Sequence, residues 1–271
     1  MRIIVLAANK YSARALATIV ALCEAGHAPV GCLCVSTTNV FNLTRKAAQY
    51  GTGNFLRYAV KRLGLLGNRT SYGTKAETPE FNTRVGGDQA TPSNVQRACR
   101  YYDIKLHYTH DVNGNRALSF LQEHRPALIV YTGGGILRRR LIELPTLGVI
   151  NAHSGLLPQY RGMNVTEWAL LNGDRTGITV HFIDPGIDTG GILFSSLVPI
   201  TIEDDSIDMF RHRIAVATVA ALVDAVKMLA SGNPELTNQD TAEGKQYFVM
   251  HEKLLDVAEK RFVRMTSAID A

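Results

Sequence analysis

Hydrophobic positions along the chain fall into short dense runs separated by amphipathic stretches. Residues 2–7 (RIIVLA) form a nearly unbroken apolar run, as in a strand covered on both faces. Ser12 then heads a segment in which Leu16, Ile19, Val20 and Cys23 recur at helical spacing, and Gly26 ends it. Residues 30–35 (VGCLCV) read as a second buried strand. Strand, helix, strand in that order predicts the right-handed parallel unit of a doubly wound sheet. Helices are expected to begin at 93–102 and to span 115–124, with apolar strands at 127–131, 147–151 and 177–183 and an extended stretch at 192–199. Ser206 caps a long helix reaching about residue 230, with Ile207, Phe210, Ile214, Ala221, Leu222 and Leu229 on its inner stripe. One more helix is expected at 252–263. The pattern therefore predicts an α/β fold with a doubly wound, mostly parallel sheet over residues 1–232. It is interrupted by a variable insertion at about 39–92 and followed by an extension at 233–271 too short for a full domain.

Composition agrees with a globular protein: of 271 residues, 46% are apolar and 20% charged. No apolar run approaches the ~20 residues that cross a bilayer, so no membrane association is expected. The first apolar run reads as a strand and not as a signal peptide. Four cysteines without a CxxC pattern predict reduced, buried thiols and a cytoplasmic protein. Charge changes the picture more. Residues 1–110 carry 14 Lys/Arg against 5 Asp/Glu, and the basic residues Arg45, Lys46, Arg57, Lys61, Arg62, Arg69 and Lys75 have no acidic residue among them. A solvated face and an anion-binding face are both open readings of that run.

Several chemistries are missing from the sequence. The first turn, ANKYSA, holds no glycine, so the dinucleotide fingerprint fails at its required place, and neither a P-loop, a GxSxG elbow nor HExxH occurs. Three polar segments remain: Gly133-Gly134-Gly135, the stretch 151–162 (NAHSGLLPQYRG), and 184–191 (DPGIDTGG). Each follows a predicted strand, and ligands of open parallel sheets bind beyond the carboxyl ends of strands, so the three are expected to converge. Their residue types suit acyl transfer. Asn151 offers an amide donor to a developing oxyanion, His153 can shuttle a proton, and Asp188 can polarise that histidine or take a proton from an attacking amine. No Ser, Cys or Lys sits in a nucleophile-type context, which favours direct transfer. Alternatives stay open here. Asn-x-His and DPGIDTGG are also ordinary turn sequences, and His153, His181, Asp184 and Asp188 could bind a metal. His181 reads more simply as a satisfied core histidine, and Tyr160 and Trp168 belong either to the core or to the wall of an acceptor pocket.

The run NAHSGLLPQYRG, followed by WALLNGDRTGITVHFIDPGIDTGGIL, resembles the signature of the formyltransferases that use N10-formyltetrahydrofolate, with sugar N-formyltransferases nearest in layout. The likeness is dense over 126–193 and absent from 39–92. It implies Asn151, His153 and Asp188 as the catalytic group, with no metal. It also implies a pterin pocket of Gly134, Gly135, Ile136 and Leu137 with Ile183, Asp184, Pro185, Gly186 and Ile187. The implied reaction is attack of a neutral amine on the formyl carbon. Asn151 and His153 would stabilise the oxyanion while Asp188 helps the proton move toward the folate N10. The first loop lacks the Gly-Ser pattern with which purine-pathway members hold a phosphate, and the 41 residues after Ala230 are too few for the barrel of methionyl-tRNA formyltransferases. The expected acceptor is therefore a small anionic amine, a nucleotide-linked amino sugar by preference, with Tyr160, Arg161 and Trp168 as substrate-binding candidates. A shortened methionyl-tRNA enzyme and a non-catalytic folate- or anion-binding module are the alternatives. Nucleic acid is thus a secondary partner, and covering the acceptor or forming a homodimer are two roles open to residues 39–92.

Overall fold

The computed structural model describes residues 1–36, 92–232 and 234–269. The basic insertion expected at about 39–92 falls, but for its last residue, outside the described residues. Strands β1 (Ile3–Ala7), β2 (Gly31–Val35), β3 (Lys105–Thr109), β4 (Leu128–Tyr131) and β5 (Gly148–His153) are followed by a short β6 (Tyr160–Gly162), then β7 (Gly177–Phe182) and β8 (Ile192–Leu197). Seven of them form one sheet in the order β3-β2-β1-β4-β5-β7-β8. β1 to β5 are parallel neighbours, whereas β7 runs antiparallel to β5 and to β8. The sheet is thus mostly parallel, as the pattern predicts. The exception matters for the site, because the carboxyl end of β7 lies at the opposite end of the sheet from that of β5.

Helices α1 (Ala13–Glu24), α2 (Val95–Tyr101) and α6 (Ile207–Ser231) cover one face, and α3 (Asn115–His124) and the single turn α4 (Arg139–Ile142) cover the other. Side chains alternate between the two cores. Ile3, Val5, Cys32, Val130 and Ile150 face α1, α2 and α6, while Ile4, Leu6, Leu33, Ile129 and Val149 face α3 and α4. That two-sided burial is why the central strands are written as continuous apolar runs. Side-chain caps fix two helix starts: Ser12 Oγ accepts from Ala15 N and Ser206 Oγ from Met209 N, each worth about 1 kcal/mol. α6 is long and apolar enough by composition to cross a bilayer, with a window of mean hydropathy 1.8, which the reading of apolar runs did not anticipate. Half of that window is buried, and Phe210, Ile214, Leu222 and Val226 pack in the main core.

The C-terminal stretch folds back onto this core. Helix α5 (Val165–Asn172) meets α7 (Glu252–Ile269), whose Phe262 is 1% exposed and lies 5.8 Å from Phe210, ring to ring. Strand β9 (Lys245–Tyr247) pairs in parallel with β6, and Thr237 exchanges both backbone hydrogen bonds with Ile192.

Candidate active site

Asn151 and His153 are two residues apart on β5 and so share a face. Pairing with β7 sets His181 directly opposite Asn151. The 184–191 segment joins them by a route the sequence reading did not foresee. It does not sit at the carboxyl end of a parallel strand; it leaves antiparallel β7 and doubles back to bring Asp188 between the two histidines. Asp188 Oδ2 lies 3.6 Å from His153 Nδ1 and Oδ1 lies 3.6 Å from His181 Nε2, both ion-pair distances. The expected meeting of amide, imidazole and carboxylate is therefore present in the structure, with a second imidazole added.

Backbone and side-chain bonds hold this segment. Asp188 has φ +54°, a left-handed conformation that costs a non-glycine residue about 1–2 kcal/mol. Its carboxylate accepts from Gly162 N at 2.8 Å. Gln239, from the C-terminal stretch, donates both amide hydrogens into the segment, to Asp188 O at 3.1 Å and Gly190 O at 2.6 Å. Asp184 Oδ1 accepts from Gly186 N and from Thr189 Oγ1, closing the turn.

Proton placement follows from the partners. A carbonyl oxygen only accepts, so His153 Nε2, 2.8 Å from Tyr160 O, carries a hydrogen, and so does His181 Nδ1, 2.8 Å from Phe182 O. In the neutral rings His153 Nδ1 and His181 Nε2 are then bare and flank one carboxylate. An added proton thus finds three basic acceptors close together. Burial pulls the His181 pKa down; the nearby Asp188 carboxylate pulls it back up. The one N–H of neutral His153 is taken by Tyr160 O, so its donation to an oxyanion requires it to leave that carbonyl. Asn151 is the freer donor.

The glycine-rich segment after β4 forms an open shelf beside this cluster. Gly134 has φ +130°, and a Cβ there would stand 2.6 Å from Leu6 Cδ2, so only glycine fits. A Cβ at Gly135 would meet nothing within 4 Å, and Ile136 is 75% exposed, while Leu137 is buried. Tyr131 donates to Gly135 O, and Asn113 donates to Ile136 O while accepting from Arg138 N. Across the site, Ile183 continues β7 by donating to Val149 O, Pro185 and Gly186 form the exposed turn, and Ile187 is partly exposed.

The three candidate substrate residues are placed differently. The Tyr160 hydroxyl donates to Asp174, and its ring stacks 5.0 Å from that of Tyr247. Trp168 Nε1 donates to Phe248 O, and Arg161 Nη2 donates to Thr241 O and Gly244 O. The polar groups of Trp168 and Arg161 and the ring of Tyr160 thus hold the C-terminal stretch, and only the Tyr160 carbonyl, through His153, joins the cluster around Asp188. Residues missed by the sequence reading are Gln239, Asn113, and Arg14, whose Nη2 donates to Ala152 O at 2.6 Å. His181 is a buried, hydrogen-bonded histidine, as its place in an apolar strand predicts, and it also approaches Asp188. Among the described residues no set of three or more His, Cys, Asp or Glu is arranged to hold a metal ion.

The formyl transferase family model matches residues 85–226, more than half of the chain, and that span holds Asn151, His153, His181 and Asp188. The chain belongs to the formyl transferase family. Methionyl-tRNA formyltransferase of Kosmotoga olearia is 32% identical over 159 residues, 58% of this chain and 51% of that protein. The Synechococcus elongatus enzyme is 34% identical over 163 residues, 59% and 50% of the two chains. The chain spans about half the length of the curated relatives it matches. Its fold is that of glycinamide ribonucleotide transformylase 1 from Symbiobacterium toebii, at TM-score 0.55 and 18% identity over 89% of this chain and 95% of that one. An N-formyltransferase from Helicobacter canadensis gives TM-score 0.55 at 14% identity, covering 92% and 71%.

Proposed function

We propose that this chain transfers a formyl group from N10-formyltetrahydrofolate to the amine of a small anionic acceptor, by preference a nucleotide-linked amino sugar. The observation that carries the reading is the convergence of Asn151, His153 and Asp188 on one cleft, within a chain of the formyl transferase family. The shelf formed by Gly134 to Leu137 and the turn formed by Ile183 to Ile187 fit a flat heterocycle between them, since the first is open at Gly135 and both present an exposed isoleucine. The donor supplies a carbonyl carbon activated by its folate nitrogen. Asn151 Nδ2–H donates to the oxygen on which negative charge grows, a contribution typically worth ~10²–10³ in rate. Asp188, backed by the bare nitrogen of His153, takes the proton that the amine must lose and passes it toward the folate N10 as the bond from that nitrogen to the formyl carbon breaks.

An anionic acceptor is supported by Arg14. Arg14 is half-buried, its shielded Nε has no hydrogen-bond partner, burial pulls its pKa down to about 10, and no carboxylate pairs with it among the described residues. Arg14 stands where the strand order reverses between β1 and β4, the crevice in which ligands of such sheets bind. A second reading, transfer to methionyl-tRNA, is favoured by the sequence relatives, which are named for that activity. Incubation with N10-formyltetrahydrofolate and nucleotide-linked amino sugars, other small amines and methionyl-tRNA separates them, with tetrahydrofolate release and product mass as readouts. Formylated sugar nucleotide is the expected product. Formylation of methionyl-tRNA alone, with steep loss at raised salt, would support the second reading, and no product from any amine would overturn both.

A further inference from the structure

His181 is an ionisable group of the cleft to which that reaction assigns no part, and both of its ring nitrogens are engaged. Its ring is 1% exposed, its Nδ1–H is tied to Phe182 O, and its Nε2 is 3.3 Å from Asn151 Nδ2. That contact is the only hydrogen bond of the Asn151 side chain among the described residues. A carboxamide has two ends of nearly equal size, one a donor and one an acceptor. Turned one way it stabilises growing negative charge on an oxygen; turned the other it repels it.

Resting on the formyl-transfer reading, we propose that His181 is a positioning residue: its bare Nε2 accepts one N–H of Asn151 and so keeps the second N–H aimed at the formyl oxygen. The bond works only while the ring is neutral. A proton on Nε2 turns it into a donor toward Asp188 Oδ1, 3.6 Å away, and Asn151 loses its acceptor. The groups facing the ring are Asp188 and Asp184, which favour that proton, and His153, which opposes it, as does burial. As the pH falls through its lowered pKa, the ring turns an Nε2–H toward Asp188 and the amide is released.

Two kinds of measurement test this. Nitrogen-15 spectra of labelled histidines assign the tautomer without any turnover: His181 is expected as the Nδ1–H form with a bare Nε2, shifting on Asn151→Ala. In steady-state assays His181→Leu, which offers no acceptor, should lose about 10²-fold in kcat with the KM for the folate donor unchanged. His181→Gln can still accept through its carbonyl oxygen but does not titrate. It should stay within about tenfold of the parent, and its acid limb should be shallower by one proton. Finding His181 protonated at Nε2 at neutral pH, or finding His181→Leu with the parent's kcat and pH profile, would overturn the proposal. Should no amine be formylated by the unmodified chain, the transfer reading fails while the spectra still decide the tautomer. Should His181→Leu not fold, the spectra and the glutamine variant decide.

Discussion

Gln239 lies 51 positions from Asp188 in the chain, yet its amide donates to the carbonyls of both Asp188 and Gly190, and replacing it with leucine isolates this link. The change removes hydrogen bonds of 3.1 and 2.6 Å and leaves an apolar side chain of similar length. At about 0.5–1.5 kcal/mol net per bond, roughly 1–3 kcal/mol is lost. Asp188 is already held in a left-handed conformation it would relax from, so the loss should fall on the loop before the fold. Converted at 1.36 kcal/mol per tenfold, kcat should drop by about 5- to 150-fold, with the donor's KM little changed. The Gly162–Asp188 bond remains and caps the effect. Gln239→Glu is a sharper probe: it keeps size and shape but turns an oxygen toward two carbonyls, so it should be at least as damaging as leucine. The assay is formyl transfer beside a thermal melt. A glutamate variant with parental kcat, or a leucine variant that melts earlier yet turns over normally, would refute the idea that the C-terminal stretch sets the catalytic carboxylate.

Other consequences can be checked in parallel. Asp188→Asn should lower kcat by about 10²–10⁴ while binding of tetrahydrofolate, read by calorimetry, is retained, because the amide keeps an acceptor for Gly162 N but cannot take a proton. Phe262→Ala should cost about 3–5 kcal/mol in urea unfolding, since this ring is 1% exposed within the main core; a cost below 1 kcal/mol would mean that α7 only rests on the surface. Arg14→Gln keeps a donor for Ala152 O but no charge, so it should raise the KM of an anionic acceptor and leave that of an uncharged amine alone.

The sequence was most legible where burial is uniform. β1, β2 and β4 are apolar on both faces and were read at nearly their true bounds, and Ser12 and Ser206 declared their helices through side-chain caps. β3 was missed because Lys105, His107 and Tyr108 make an edge strand partly open to water, without an apolar run. The antiparallel turn of β7 was invisible, since a buried strand reads alike in either direction. Asn151, His153 and Asp188 could be named from residue type and order. His181 and Gln239 could not. An imidazole in an apolar strand looks like packing, and nothing local to Gln239 records the loop it grips. For Tyr160 and Trp168 the sequence leaves packing and a ligand wall both open, and in the fold they meet β9 and the segment after it.

The most direct test is a crystal structure of the chain with an unreactive N10-formyl folate analogue. The formyl oxygen should lie about 3 Å from Asn151 Nδ2, within hydrogen-bond reach, with Asp188 facing the open side of the formyl carbon. A formyl group bound away from β5, or one that meets the carbonyl end of Asn151, would contradict this placement.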